Sequence, residues 1–239
     1  MKERADKVLT ERGLANSRSQ AKSMIEKGDV LINGKALTKA GELIDTEAQI
    51  EVTTPNYVGR GAFKLIAALE KFPVSIKDKV MLDVGASTGG FTEILLLHQA
   101  RKVYAIDVGH DQLVEKLKSD PRVVNMEGQN IRELTALPEV ADGAVMDLSF
   151  ISITKVLPQV RLLLKEGAFL IALIKPQFEA GLERLPKDGV IKDDQVRKDI
   201  LQEVIQFSVA HGWLHHETIL SPIEGKAGNI EFLSYFTRS

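Results

Sequence analysis

The stretch Leu82-Asp83-Val84-Gly85-Ala86-Ser87-Thr88-Gly89-Gly90-Phe91-Thr92 decides how the rest of the chain is read. An apolar run ends beside an acidic residue, glycines crowd the next few positions, and a helical apolar pattern over residues 91–98 opens at once. Glycines at the carboxyl end of a strand that turns into a helix let a ligand approach the backbone closely. Ser87 interrupts the dinucleotide fingerprint G-x-G-x-x-G, and the Lys-Ser/Thr ending of a phosphate-gripping loop is missing. Asp107 closes the next apolar run, 22 residues after Gly85. That spacing suits a carboxylate that accepts both hydroxyls of an adenosine ribose. A tight turn would explain the glycines alone; loop and carboxylate together point to a cofactor pocket.

Outward from this loop, short apolar runs alternate with helical patterns. Strands are predicted at residues 80–84, 103–106, 123–126, 144–146 and 169–174, and helices at 91–98, 113–118, 153–164 and 194–211. This rhythm predicts an α/β fold, a doubly wound and mostly parallel Rossmann-like sheet. Two further strands at 213–220 and 231–236 would return by a hairpin and make the far edge antiparallel. Leu95-Leu96-Leu97 reads as the buried part of the first crossover helix.

The 239 residues, 44% hydrophobic and 27% charged, suit a small domain joined to a medium one and exclude a disordered chain. The longest clean apolar run, Ala168 to Ile174, is far short of the roughly 20 residues of a membrane-spanning helix, and the charged start lacks the form of a secretory signal. Without cysteine there is no disulfide, thiolate metal site or cysteine nucleophile. The five histidines form no spaced cluster; His215-His216 reads as part of an exposed strand, so no metal is expected, and a cytoplasmic location follows by default. The net charge of −2 is uneven: residues 1–39 carry nine Lys or Arg against five Asp or Glu. A basic front attracts phosphate backbones, although on charge alone a solvated face is the better explanation.

Within that front, Ala5, Val8, Leu9 and Arg12 share one side of a short helix that Gly13 can close. Asn16 or Ser17 can cap a second helix ending at Gly28. Val30-Leu31-Ile32 then meets Asn33-Gly34, a strong hairpin signal, and residues 49–52 give a last strand, so two helices and one small sheet are expected. The turn-rich residues 53–61 read as a linker, which divides the chain into a module at 1–54, a linker at 55–61 and a second domain at 62–239.

Arg4, Asp6, Leu9, Gly13, Ser17-Arg18, Ala21, Ile25, Gly28, Val30, Asn33-Gly34-Lys35 and Lys39 resemble the RNA-binding module first described in ribosomal protein S-four, with Ala40 where that family usually has proline. The resemblance implies RNA contacts from Arg4, Arg12, Arg18, Lys22, Lys35 and Arg60. The glycine loop and Asp107 look like those of an S-adenosylmethionine-dependent methyltransferase. That likeness implies cofactor contacts from Asp83, Gly85, Ala86, Ser87, Gly89, Gly90, Phe91, Asp107 and Val108, and from Asn130 near the adenine, where related enzymes often carry Asp.

Four polar residues, Lys64, Asp147, Lys175 and Glu231, stand in distinctive contexts, each read as an element end. Asp147-Leu148-Ser149-Phe150-Ile151-Ser152 and Lys175-Pro176-Gln177-Phe178-Glu179 both follow apolar strands, whose carboxyl ends face the reacting crevice of an open sheet. The four resemble the Lys-Asp-Lys-Glu tetrad of FtsJ-like RNA ribose 2′-O-methyltransferases. The whole chain resembles the TlyA-type family, also labelled hemolysin A, whose members methylate cytidine 2′-hydroxyls in ribosomal RNA. Gly59 departs from an expected Ser, and His110-Asp111 from an expected Tyr-Gly. The resemblance implies a cytoplasmic enzyme acting on ribosomal RNA or a ribosomal subunit, with S-adenosyl-L-methionine as cofactor and neither metal nor membrane. A ribose hydroxyl must lose its proton as it attacks a methyl sulfonium, and Lys175 is the candidate nearest it, as proton acceptor or as orienting cation. Competing functions are a membrane-lytic protein, an RNA-binding protein with an inactive catalytic domain, and a small-molecule methyltransferase.

Overall fold

The computed structural model describes every residue but Asn16, Thr54 and Lys226, and of Leu182 only its place in a helix. The chain divides into two compact units, Met1–Val58 and Gly59–Ser239. The first runs β1 (Lys2–Arg4), α1 (Ala5–Glu11), α2 (Arg18–Glu26), β2 (Val30–Ile32), β3 (Lys35–Ala36), β4 (Leu43–Asp45) and β5 (Ile50–Val52). Asn33 and Gly34 take φ of +49° and +78°, the left-handed pair that a two-residue hairpin between β2 and β3 requires. Ser17 caps α2 by accepting the Gln20 N–H at 3.2 Å. The alternative cap, Asn16, lies outside the described residues, as does Thr54 at the end of the predicted module. The sequence predicts one small sheet, whereas the described residues form two, β3-β2-β5 and an antiparallel β1-β4 pair. Strands of three residues are too short to show an alternating pattern, so β1 and β4 escape a reading by periodicity. Val8, Leu9, Ala21, Ile25, Val30 and Ile44 form this unit's core.

The second unit runs α3 (Gly61–Lys71), β6 (Val80–Val84), α4 (Gly90–Leu97), β7 (Lys102–Asp107), α5 (Glu115–Lys118), β8 (Val123–Glu127), β9 (Ala141–Met146), α6 (Leu157–Leu162), β10 (Leu164–Ile174), α7 (Pro176–Glu179), α8 (Gly181–Arg184), α9 (Asp194–Ala210), β11 (Trp213–Leu220) and β12 (Phe232–Arg238). Among the described residues the sheet order is β11-β12-β10-β9-β6-β7-β8. The ladders from β10 to β8 are parallel, and β12 is antiparallel to both β10 and β11. The doubly wound architecture and its antiparallel far edge are therefore as the sequence predicts. Leu82, Val84, Tyr104, Ile106, Met146, Leu170 and Ala172 pack on one face against Val156, Leu157, Val160 and Val204. Alternate positions such as Met81, Val103, Val145 and Ile171 are equally buried toward the other face, as a sheet covered on both sides demands.

Several element readings need correction. Residues 61–71 form a helix, so Lys64 sits in its second turn and not at an element end. The predicted helix at 153–164 is a 3-10 turn, Ile153–Lys155, followed by the short α6, and Leu164 already belongs to β10. Leu162-Leu163-Leu164 is apolar in either state, so periodicity cannot mark where helix gives way to strand. The helix at 113–118 shrinks to α5 because Val114 is extended. Leu97, predicted buried, ends α4 with 61% exposure. Finally, β12 begins at Phe232, leaving Glu231 immediately before the strand.

Candidate active site

The chain order of the parallel strands reverses at β6, with β7 on one side and β9 on the other. A crevice opens at such a switch point beyond the carboxyl ends of the strands. Here it is a cleft of about 290 Å³ bordered by Gly85, Ser87, Asp107, Val108, Gln112 and Gln129, with Asp147, Leu148, Ser149 and Phe150 on the β9 side. Gly85 has φ +86°, and a Cβ there would come within 2.5 Å of the Asp147 carbonyl, so the loop passes against the β9 end only as glycine. Gly89, at φ +100°, precedes α4 where a Cβ would strike Leu117. The Asp107 carboxylate is fixed by two backbone donors, Ser87 N–H and Gly109 N–H, each at 2.8 Å.

Of the predicted cofactor residues, Gly85, Ser87, Asp107 and Val108 line this cleft. Ala86, Gly89, Gly90 and Phe91 shape the loop and α4 behind it. Asn130 does not border it: its side chain accepts from Arg132 N–H and donates to Glu133, capping a 3-10 turn, while its neighbours Gln129 and Ile131 face the cleft. Asp83 is wholly buried and accepts the Thr92 hydroxyl at 2.6 Å, which ties β6 to α4. Its other oxygen has no hydrogen-bond partner among the described residues.

Burial pushes the Asp83 carboxyl up to about 7, opposed by the Thr92 hydrogen bond. Against an ordinary value of 3.8, the native state is then the stronger proton binder between about pH 4 and about pH 7. Stability is therefore expected to fall as pH rises through that window, by on the order of a few kcal/mol. Asp83→Asn should flatten the decline; urea midpoints at about pH 5 and about pH 7.5 that move equally in both proteins would refute this.

Lys64, Asp147, Lys175 and Glu231 come together as a line of alternating charge. Lys64 Nζ lies 2.7 Å from Glu231 Oε2 and 3.8 Å from Asp147 Oδ2, and Lys175 Nζ lies 2.6 Å from Asp147 Oδ1. Both lysines and Glu231 are buried; Asp147, with 21% side-chain exposure, faces the cleft. Two cations and two anions leave the line formally neutral, which is how buried charge becomes tolerable. Gln177 donates to Glu231 Oε1 at 3.4 Å, and a Cβ on Gly225 would come within 2.7 Å of that oxygen.

Several contributors escape the sequence reading. Ser149 Oγ accepts from Lys175 Nζ at 2.9 Å. Glu179, on α7, accepts from Ser152 Oγ at 2.5 Å and from Ile153 N–H at 2.9 Å, and so fastens the segment after β9 to the segment after β10. Burial raises the pKa of that carboxyl. Glu127 accepts from Gln112 N–H at 2.5 Å and Leu113 N–H at 2.8 Å, holding the loop that carries Gln112 to the cleft. These residues stand inside recognisable motifs, but their partners are set by loop paths that periodicity does not encode.

In the first unit, Arg4 and Arg18 both donate to the buried Asp6, whose carboxyl is held down to about 2 chiefly by Arg4. Arg12 donates to the Ala48 and Thr46 carbonyls. Three of the predicted RNA contacts therefore also brace their own fold. Lys22, 3.7 Å from Glu26, and Lys35 are exposed, as is Arg60 in the second unit.

Comparison with known proteins gives the chain's family. The FtsJ-like methyltransferase family matches residues 57–238 and the S4 domain family matches residues 3–50. The chain is 47% identical to YqxC of Bacillus subtilis (strain 168), a relative bearing an rRNA methyltransferase name, over 97% of this chain and 84% of that one. It is 41% identical to the 16S/23S rRNA (cytidine-2'-O)-methyltransferase TlyA of Mycobacterium tuberculosis, over 96% of this chain and 87% of that one. A solved structure from Streptococcus thermophilus that carries a hemolysin name superposes with a TM-score of 0.78 at 39% identity, covering 100% of this chain and 89% of that one.

Proposed function

The chain belongs to the FtsJ-like methyltransferase family and carries an S4 domain before it, and from that premise we propose that it transfers a methyl group from S-adenosylmethionine to the 2′-hydroxyl of cytidine in ribosomal RNA, as its named TlyA relative does. The observation that carries this reading is the alternating line Glu231, Lys64, Asp147, Lys175 beside a cleft with a glycine loop on one wall and a fixed carboxylate, Asp107, on the other. Ribosomal RNA or a ribosomal subunit would be the partner, met in the cytoplasm, with Lys22, Lys35, Arg60 and the outward faces of Arg4 and Arg18 as phosphate contacts.

The cleft's residues fit the cofactor. Two backbone amides already hold the Asp107 carboxylate, leaving its remaining lone pairs for a pair of vicinal hydroxyls, and Gly85 keeps the floor free of a side chain. When bound, S-adenosylmethionine supplies an electrophilic methyl group on a positively charged sulfur. Lys175 stands at the end of β10 to meet the ribose hydroxyl. As a neutral amine it would take the hydroxyl proton; as an ammonium it stabilises charge developing on the oxygen while the proton leaves to water. The 2.6 Å ion pair with Asp147 favours the second. Lys64 and Glu231 hold Asp147 from behind. Among the described residues no helix is long and apolar enough to cross a membrane.

Mapping 2′-O-methyl groups on ribosomal RNA from cells with and without the protein tests the function; identical maps would overturn it. Asp107→Ala removes the acceptor of the ribose hydroxyls and should weaken S-adenosylmethionine binding by about 1.5 to 3 kcal/mol. Calorimetry at wild-type affinity would remove Asp107 from that role.

A further inference from the structure

We propose that Ser149 is a positioning residue for methyl transfer, fixing the direction in which Lys175 faces the ribose hydroxyl. The inference rests on the 2′-O-methylation reading above. An ammonium has three donors at tetrahedral angles. On Lys175 the described hydrogen bond is the one donated to Ser149 Oγ at 2.9 Å; Asp147 Oδ1 lies 2.6 Å away as an ion pair without hydrogen-bond geometry, and the Phe178 ring is centred 5.8 Å from Nζ. The ion pair sets how close the ammonium lies, and the serine bond sets how its other donors turn toward substrate. A single carboxylate would leave the group free to rotate about one contact; the serine removes that freedom.

The fold holds Ser149 from both sides. Before it, Asp147 N–H donates to the Val84 carbonyl at 3.0 Å, and Gly85 lets the Asp147 backbone lie against the loop. After it, Glu179 fastens Ser152 and Ile153. Between these anchors Phe150 adopts φ +65°, a left-handed conformation unfavourable for an aromatic residue. That turn leaves Phe150 91% exposed, its ring centred 5.1 Å from that of Phe178, while Ser149 keeps its hydroxyl on Lys175. A strained backbone held at both ends, next to the reacting group, is where pre-organisation is expected.

The test is single-turnover methyl transfer by the full-length protein, using radiolabelled S-adenosylmethionine and ribosomal subunits from cells lacking the enzyme, both saturating. Ser149→Ala should slow the step by roughly 10- to 100-fold, with the affinities for subunit and S-adenosylmethionine changed by less than about threefold, and Ser149→Thr, which keeps a hydroxyl, should recover most of the rate. A merely structural role would not produce that split or that rescue. A Ser149→Ala rate within about twofold of wild type overturns the proposal. So does a defect abolished by raising S-adenosylmethionine, which would make Ser149 a cofactor contact, or a Ser149→Thr protein as slow as the alanine variant. Absence of methylation by the wild-type protein would instead defeat the functional reading, and the positioning role with it.

Discussion

Lys175→Ala is expected to lower the single-turnover rate of methyl transfer by about 100- to 10,000-fold with cofactor and RNA both saturating. Lys175 follows β10 at the end of the sheet where the cleft opens, and its Nζ is held at 2.6 Å from Asp147 and 2.9 Å from Ser149. The chain has no cysteine, and among the described residues no group of three or more His, Asp or Glu is placed to hold a metal ion. Removing Lys175 leaves Lys64 facing two carboxylates, but the excess negative charge falls on Asp147, which is 21% exposed at the cleft and open to water, so the fold should survive. Cofactor affinity should change little, because Asp107 and the glycine loop do not touch this amine. The size of the loss does not separate a base from an orienting cation, since either contributes a similar factor. The pH profile does: a base makes the log rate climb with a slope near one, and an orienting ammonium does not impose that climb. Near-normal turnover by the alanine variant would take Lys175 out of the mechanism.

Where the proposed chemistry sits is more legible in the sequence than how its residues are held. Asp107, Asp147 and Lys175 were legible because each stands at the carboxyl end of a buried strand, Asp107 as its last residue and the other two just beyond, where a charge has no packing reason to be. Lys64 was legible only through its resemblance to a known tetrad; its helix, Gly61–Lys71, lay beside a turn-rich stretch and was read as part of none. Asn130, which the methyltransferase likeness puts near the adenine, is engaged locally: an Asn ahead of Ile131-Arg132-Glu133 makes a good cap, and its side chain accepts from Arg132 N–H. The arginines of the first unit are partly committed in the same way, since the buried Asp6 holds Arg4 and Arg18 while leaving about half of each side chain exposed. Strand periodicity reports burial, and it is silent on which partner a polar side chain finds once the loops close.

Glu231→Ala should destabilise the protein by about 3 to 5 kcal/mol, because it strands the buried Lys64 ammonium. Lys64 and Glu231 have side-chain exposures of only 9% and 3% and lie 2.7 Å apart. Without Glu231, the nearest remaining carboxylate is Asp147, whose Oδ2 is 3.8 Å from Lys64. Any movement of Asp147 toward Lys64 draws it from Lys175, so activity should fall together with stability. A double variant, Lys64→Met with Glu231→Leu, separates the two effects. Removing both charges at once leaves nothing stranded, and a buried pair replaced by apolar groups of similar size often costs nothing. The double variant should therefore regain most of the denaturation midpoint lost by Glu231→Ala, yet remain slow, because Asp147 has lost the cation that faces it from behind. If it stays as unstable as the single variant, the loss comes from packing and not from an unpaired charge. If it methylates at the wild-type rate, Lys64 and Glu231 are a structural pair only, and the reacting group reduces to Asp147 and Lys175.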